Sequence, residues 1–488
     1  MSRTSLLAAA GLVLVACSSP SGVHTLRADQ VPPSTTHGTD GTDNTTPDPP
    51  TQPSAGDDTG DGLGDVLFPD LGNPGLDVLH YDVTLSYDPT TDRVEGMVGI
   101  DAQLTDDRDD ITLDAIGLTT TQVTVDGEPV AAVTDDPELR IPLPQPGIAG
   151  DTMRIEVEYS FVSTQTASDN GWSNTSGGSY VLNEPDGTRA WLPSNDHPSD
   201  KATYTFTISV PLGLTAVANG SLADHHTLGD QEVWVWQQDL PMATYLIQLL
   251  TGDYEVVLGT GPNDLPLINV VLRRDRAAMQ PFIDLTPELI DFFDDFFGPY
   301  PLDSYGIAIT DSFGGLAMET QGRSLFSRED FLGGDLGFNQ QLFLSHELAH
   351  QWFGDAVTPA RWSDIWLNES FASYATWMWL EHIGLSQLST EANFALKNRP
   401  TTSTGNPTVD EMFGYNSYDG GAVVLQALRL TIGDDKFFEL LQRWVAENNG
   451  NSRTSADFIK LTEAIAGVPM ADFFDTWLFA TELPSEFP

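Results

Sequence analysis

The chain has 488 residues, 71 acidic side chains against 21 lysines and arginines, a formal net charge of −50 and a single cysteine. So acidic a surface repels nucleic acid and anionic lipid head groups, which excludes both as expected partners, and it favours solubility in salt. One cysteine excludes an intramolecular disulfide, and its place at position 17 excludes a catalytic thiol in an exported mature chain.

Arg3 precedes the apolar run Leu6 to Ala16, which is too short for a comfortable transmembrane helix. Leu14-Val15-Ala16-Cys17 resembles the lipobox of bacterial lipoproteins. It implies a leader at 1–17, acylation of Cys17, and an exported protein lipid-anchored at the outer face of a bacterial membrane. Residues 18–65 are rich in Pro, Thr, Ser, Gly and Asp and lack aromatics, so they cannot bury a core and read as a disordered linker. Asp57 to Asp65 has some likeness to a calcium loop, but no complete loop signature is present.

From 66 to 261 the sequence alternates apolar and polar residues, as in Tyr81 to Leu85 and Thr203 to Val210, between Gly, Pro and Asp turns. This predicts a β-rich domain. From 262 to 488 helical periodicity dominates. Phe343, Leu344, Leu348, Trp352 and Phe353 recur at near-helical spacing up to Gly354-Asp355, and a second helix is predicted from about Leu367 to His382. The fold class expected is α+β.

The first of these helices carries His346-Glu347-Leu348-Ala349-His350. Histidines four apart share one helix face and can reach one metal ion. Eighteen residues lie between His350 and Glu369, enough for a turn and the start of the second helix, which can deliver a carboxylate as third ligand. Two imidazoles and one carboxylate suit Zn²⁺ with a fourth position open. Glu347, beside the first histidine, can take a proton from water there.

Four segments share an order with a known family: GGLAMETQ at 314–321, HELAHQWFG at 346–354, WLNESFA at 366–372 and YDGGA at 418–422. The chain resembles the zinc aminopeptidases of the aminopeptidase N and leukotriene hydrolase type, in a short bacterial lipoprotein form, from about Gly64 onward. The resemblance implies an antiparallel β-rich domain before a thermolysin-like, mainly helical catalytic domain, and peptide substrates with a free N-terminus. It implies one zinc on His346, His350 and Glu369, and Glu347 as the base. Ala317 and Glu319 fall in the family's substrate-binding segment, where the glutamate grips the α-amino group. Glu184, counted back from Arg189, falls where the family makes a second amine contact. Tyr418 matches the tyrosine that stabilises the oxyanion, with Tyr415 as a competing candidate. Thr320 and Leu316 depart from the family's usual Asn and Gly and are expected to reshape the first pocket. Gly420 replaces a frequent basic residue. The family's further helical C-terminal domain is expected to be absent. A thermolysin-like zinc endopeptidase, a non-enzymatic peptide-binding protein on the same fold, and epoxide hydrolysis as a side activity remain the alternatives.

Overall fold

The computed structural model describes residues 62–166, 168, 170–333 and 336–488. Cys17, the leader at 1–17 and the spacer as far as residue 61 lie outside the described residues. The ordered body begins before Val66. Asp65, expected as the last residue of the linker, is buried, because its Oδ1 accepts from Leu67 N (2.8 Å) and its Oδ2 from Trp362 N (2.7 Å).

Alternation does set the strands. In Leu76–Asp88 the buried positions are Leu76 and Val78, then Tyr81, Val83, Leu85 and Tyr87. The parity changes where the register against Arg93–Leu104 shifts between Val78 and His80, as an inserted residue requires. These strands sit centrally in an eight-stranded sheet that also holds Lys201–Pro211, Gln231–Ala243 and Thr152–Val162. The expected antiparallel pattern is broken where Leu76–Asp88 runs parallel to Lys201–Pro211, with His80 opposite Thr203. The long stretch of chain between them permits the crossover. A second sheet orders Thr215–Ala218, Leu249–Gly252, Gly178–Leu182 and Gly171–Asn174.

A five-stranded mixed sheet links this domain to the helices, in the order Tyr254–Thr260, Pro266–Leu272, Ile307–Thr310, Ser324–Ser327, Ala317–Met318. Ala317–Met318 is its edge. Around it pack helices that include Gln280–Phe297, Phe338–Ala349 (the histidine helix), Trp366–His382 (the glutamate helix) and Asp419–Ile432 (the tyrosine helix). The molecule is thus a β-rich N-terminal domain followed by a mainly helical one. An amphipathic helix at a protein surface buries only one side. In the glutamate helix every residue from Trp366 to Leu380 is buried, the pattern of a helix enclosed by neighbours. No described helix is long and apolar enough to cross a membrane.

Candidate active site

The histidine helix ends one residue before its second histidine. His350 is its C-cap, with its amide on His346 O (3.3 Å), and the chain then tightens through Gln351 N to Leu348 O (3.1 Å) instead of continuing to Gly354. Gly354 has φ +133°, and a Cβ there would come within 3.1 Å of Asn368 Nδ2 and 3.4 Å of His350 Nδ1. The sharp turn lets His350 Nδ1 donate to Phe353 O at 3.1 Å, so the Nε2 lone pair stays free for a metal.

Both Nε2 atoms converge on the glutamate helix. His346 Nε2 is 3.1 Å and His350 Nε2 3.5 Å from Glu369 Oε2, all three side chains being buried. Their ligand atoms lie within 4.8 Å of one another. Glu347 meets His350 and Glu319 in a second group of the same dimension, and Glu184 meets Glu319 and Glu369 in a third.

Glu184 comes from the N-terminal domain and Glu319 from the helical one. Glu184 follows the strand Gly178–Leu182, behind Asn183, whose Nδ2 donates to Ile247 O (2.8 Å) and whose Oδ1 accepts from Trp191 Nε1 (2.9 Å). Glu319 follows the edge strand Ala317–Met318. Each is buried and each keeps one carboxyl oxygen, Oε1, without a hydrogen-bond partner. Burial first, then the nearby Glu319 and Glu369, pushes the Glu184 carboxyl well above the usual range. Burial likewise raises Glu347, opposed by His350 and reinforced by Glu319 and Glu369. Burial also raises Glu319, again opposed by His350.

Four buried carboxylates facing two imidazoles leave the cluster short of positive charge. A divalent cation held by His346, His350 and Glu369, and an ammonium against Glu184 and Glu319, would supply it. The donor set of two imidazole nitrogens and one carboxylate fits Zn²⁺.

The tyrosines separate clearly. The Tyr418 ring is buried and stacks on His346, centroids 5.9 Å apart and planes 21° apart. No such ring contact with His346 is seen for Tyr415 among the described residues; burial raises its phenol, with Asp419 and Glu391 as the neighbouring charges. Tyr418 reaches the cluster because two helices touch. A Cβ on Gly421 would lie 1.8 Å from Ser370 Oγ, and that hydroxyl donates to Ser417 O at 2.6 Å. Gly420 is tight too, since its Cβ would meet Asn416 Oδ1 at 2.4 Å.

Thr320 and Leu316, the departures from the family's segment, both face inward. Thr320 Oγ1 donates to Arg323 O (2.5 Å) and accepts from Gln248 Nε2 (2.8 Å), while Leu316 is buried in the N-terminal domain's core cluster. Sequence reasoning also missed Gln351. Its Nε2 donates to Glu319 O (3.2 Å) and Glu347 O (3.4 Å), and its Oε1 accepts from Gly322 N (2.8 Å). Its place directly after His350 was the available signal.

Comparison with known proteins identifies the scaffold. Residues 78–246 match the Peptidase M1 N-terminal domain and residues 282–477 the Peptidase family M1 domain. The crystal structure of an M1 zinc metallopeptidase from Deinococcus radiodurans superposes with a TM-score of 0.80 at 30% identity, covering 88% of this chain and 99% of that one. The chain belongs to the M1 peptidase family. Among curated relatives, a leucyl aminopeptidase of Saccharolobus solfataricus is 25% identical over 83% of this chain, and a probable aminopeptidase of Sulfurisphaera tokodaii 26% over 76%. This M1 peptidase spans about half their length, 53% and 49%.

Proposed function

We propose that this M1 peptidase is a zinc aminopeptidase that removes the N-terminal residue from peptides. One observation carries the reading: Glu184 and Glu319 share a buried cluster with Glu369, and each keeps an unpartnered oxygen. A peptide's α-ammonium is the cation that satisfies both. A zinc endopeptidase has no use for such a pair, which places a charge penalty where an internal peptide bond would continue.

His346, His350 and Glu369 would hold the zinc. When bound, Zn²⁺ supplies Lewis acidity for the scissile carbonyl and lowers the pKa of a water. Glu347 accepts the proton of the attacking water and delivers it to the leaving amine. Tyr418 donates to the oxyanion from beside His346. Glu319 and Glu184 fix the substrate's N-terminus, and Ala317, on the sheet edge, offers its backbone to an extended chain. With the substrate's amine held by these carboxylates, one residue is removed per cycle.

Chelation tests the reading. Hydrolysis of aminoacyl amides should vanish with a chelator and return with Zn²⁺. Activity that survives complete metal removal would rule it out. Tyr418→Phe should lower kcat by about 10²–10³-fold with little change in KM. If Tyr415→Phe does this and Tyr418→Phe does not, the oxyanion donor is Tyr415.

The setting we propose is extracytoplasmic, with the protein held by a lipid on Cys17. The apolar run and the lipobox-like segment support this. An N-terminal peptide without acyl mass, from protein that fractionates as soluble, would overturn it.

A further inference from the structure

The turn that carries Glu319 is held by a guanidinium with no acidic partner among the described residues. Arg323 is 1% exposed, and burial pushes its guanidinium down to about 9. Its Nε donates to Ile268 O (2.8 Å), Nη1 to Ala218 O (2.8 Å) and Gln248 Oε1 (2.9 Å), and Nη2 to Gly220 O (3.2 Å). Its Cζ lies 5.2 Å from the centroid of the Trp236 ring. Ile268 belongs to the five-stranded sheet, whereas Ala218, Gly220, Trp236 and Gln248 belong to the N-terminal domain.

A buried charge without a counter-ion is costly, and an apolar side chain of similar volume would pack there without that cost. What an apolar residue lacks is a rigid fork of donors that fixes several carbonyls at once. The rest of the turn is tied as closely. Gln248 Nε2 donates to Thr320 Oγ1 and to Arg323 O, both at 2.8 Å, and Asn219 Nδ2 donates to Gln321 O at 2.9 Å. On the opposite side, Gln351 bonds Glu319 O and Gly322 N, and Ser324 Oγ donates to Glu347 O at 3.1 Å. The turn is therefore a strut between the N-terminal domain and the histidine helix, with the amine-facing carboxylate at its start.

We propose, on the aminopeptidase reading above, that Arg323 is a positioning residue: it locks the Glu319–Ser324 turn and so sets the spacing between the amine-binding carboxylate and the metal ligands. Gln248 completes the lock from the N-terminal domain.

Two inhibitors separate positioning from general support. Leucine hydroxamate carries a metal-binding head and an α-amine; 4-methylpentanohydroxamate is the same molecule without the amine. Wild-type protein should prefer the amine-bearing compound. In Arg323→Met that preference should fall by about ten- to a hundredfold, the scale of one charge-assisted hydrogen bond. Zinc content and the affinity for the amine-free compound should be unchanged. Arg323→Lys, which keeps the charge but not the fork, should fall between. Gln248→Leu should lose part of the preference in the same way, and it decides the matter if Arg323→Met does not fold. Folded, zinc-loaded variants that keep the full preference, or that weaken both compounds equally, would overturn the positioning role. A wild-type protein with no amine preference would overturn the aminopeptidase reading and this role with it.

Discussion

Glu347→Gln will keep its zinc and lose turnover by about 10²–10⁴-fold, the contribution of a positioned proton acceptor. The substitution preserves the shape of a side chain that is 4% exposed and removes only its basicity. Glu347 is not within the triad of His346, His350 and Glu369, so the ligands survive. Its neighbours in the cluster are His350 and Glu319, where the proposed mechanism takes a proton from water and returns it to an amine. Metal analysis beside steady-state kinetics is the check. Full zinc with near-normal kcat would remove Glu347 from the mechanism, and His350→Ala should give the opposite signature, a loss of zinc itself.

Acetylating a substrate's N-terminus should lower kcat/KM by roughly a thousandfold or more, because a buried carboxylate pair then loses its cation. Acetylation removes the charge and adds bulk at the position of Glu184 and Glu319. Glu319→Ala should bring cleavage of the free-amine peptide down towards that of the acetylated one. Glu184→Ala should act in the same direction more mildly. If the acetylated peptide is cut as fast as the free one, the two carboxylates have another use.

What the sequence made legible was local. His346 and His350 share a face through a four-residue spacing, and the glutamate helix, expected at 367–382, runs from Trp366 to His382. Both depend on periodicity within a few turns, which sequence displays directly. Leu76–Asp88 was equally readable as a strand, but its parallel partner Lys201–Pro211 was not, because pairing over more than a hundred residues leaves no local trace. Glu184 was reached only through a resemblance, since nothing near Pro185 announces that it will meet Glu319 and Glu369 in space. After the early end of the histidine helix, the chain turns at Gly354, with positive φ and close to Asn368, a contact with the glutamate helix that is distant in sequence. Arg323 and Gln351 escaped notice for a related reason. Their side chains work by bonding backbone carbonyls and amides, which have no sequence signature. The side chains at the departures Leu316 and Thr320 turn inward, one into a core and one onto its own turn, which the local sequence does not display.

The proposed activity is tested most directly by time-resolved mass spectrometry of one linear peptide, with a free or an acetylated N-terminus, incubated with zinc-loaded protein. A zinc aminopeptidase will convert the free peptide into a ladder shortened one residue at a time from the N-terminus, and will leave the acetylated peptide whole over the same interval. Internal fragments from the acetylated peptide would contradict it and point to an endopeptidase, and two untouched peptides would point to a protein that binds without cutting.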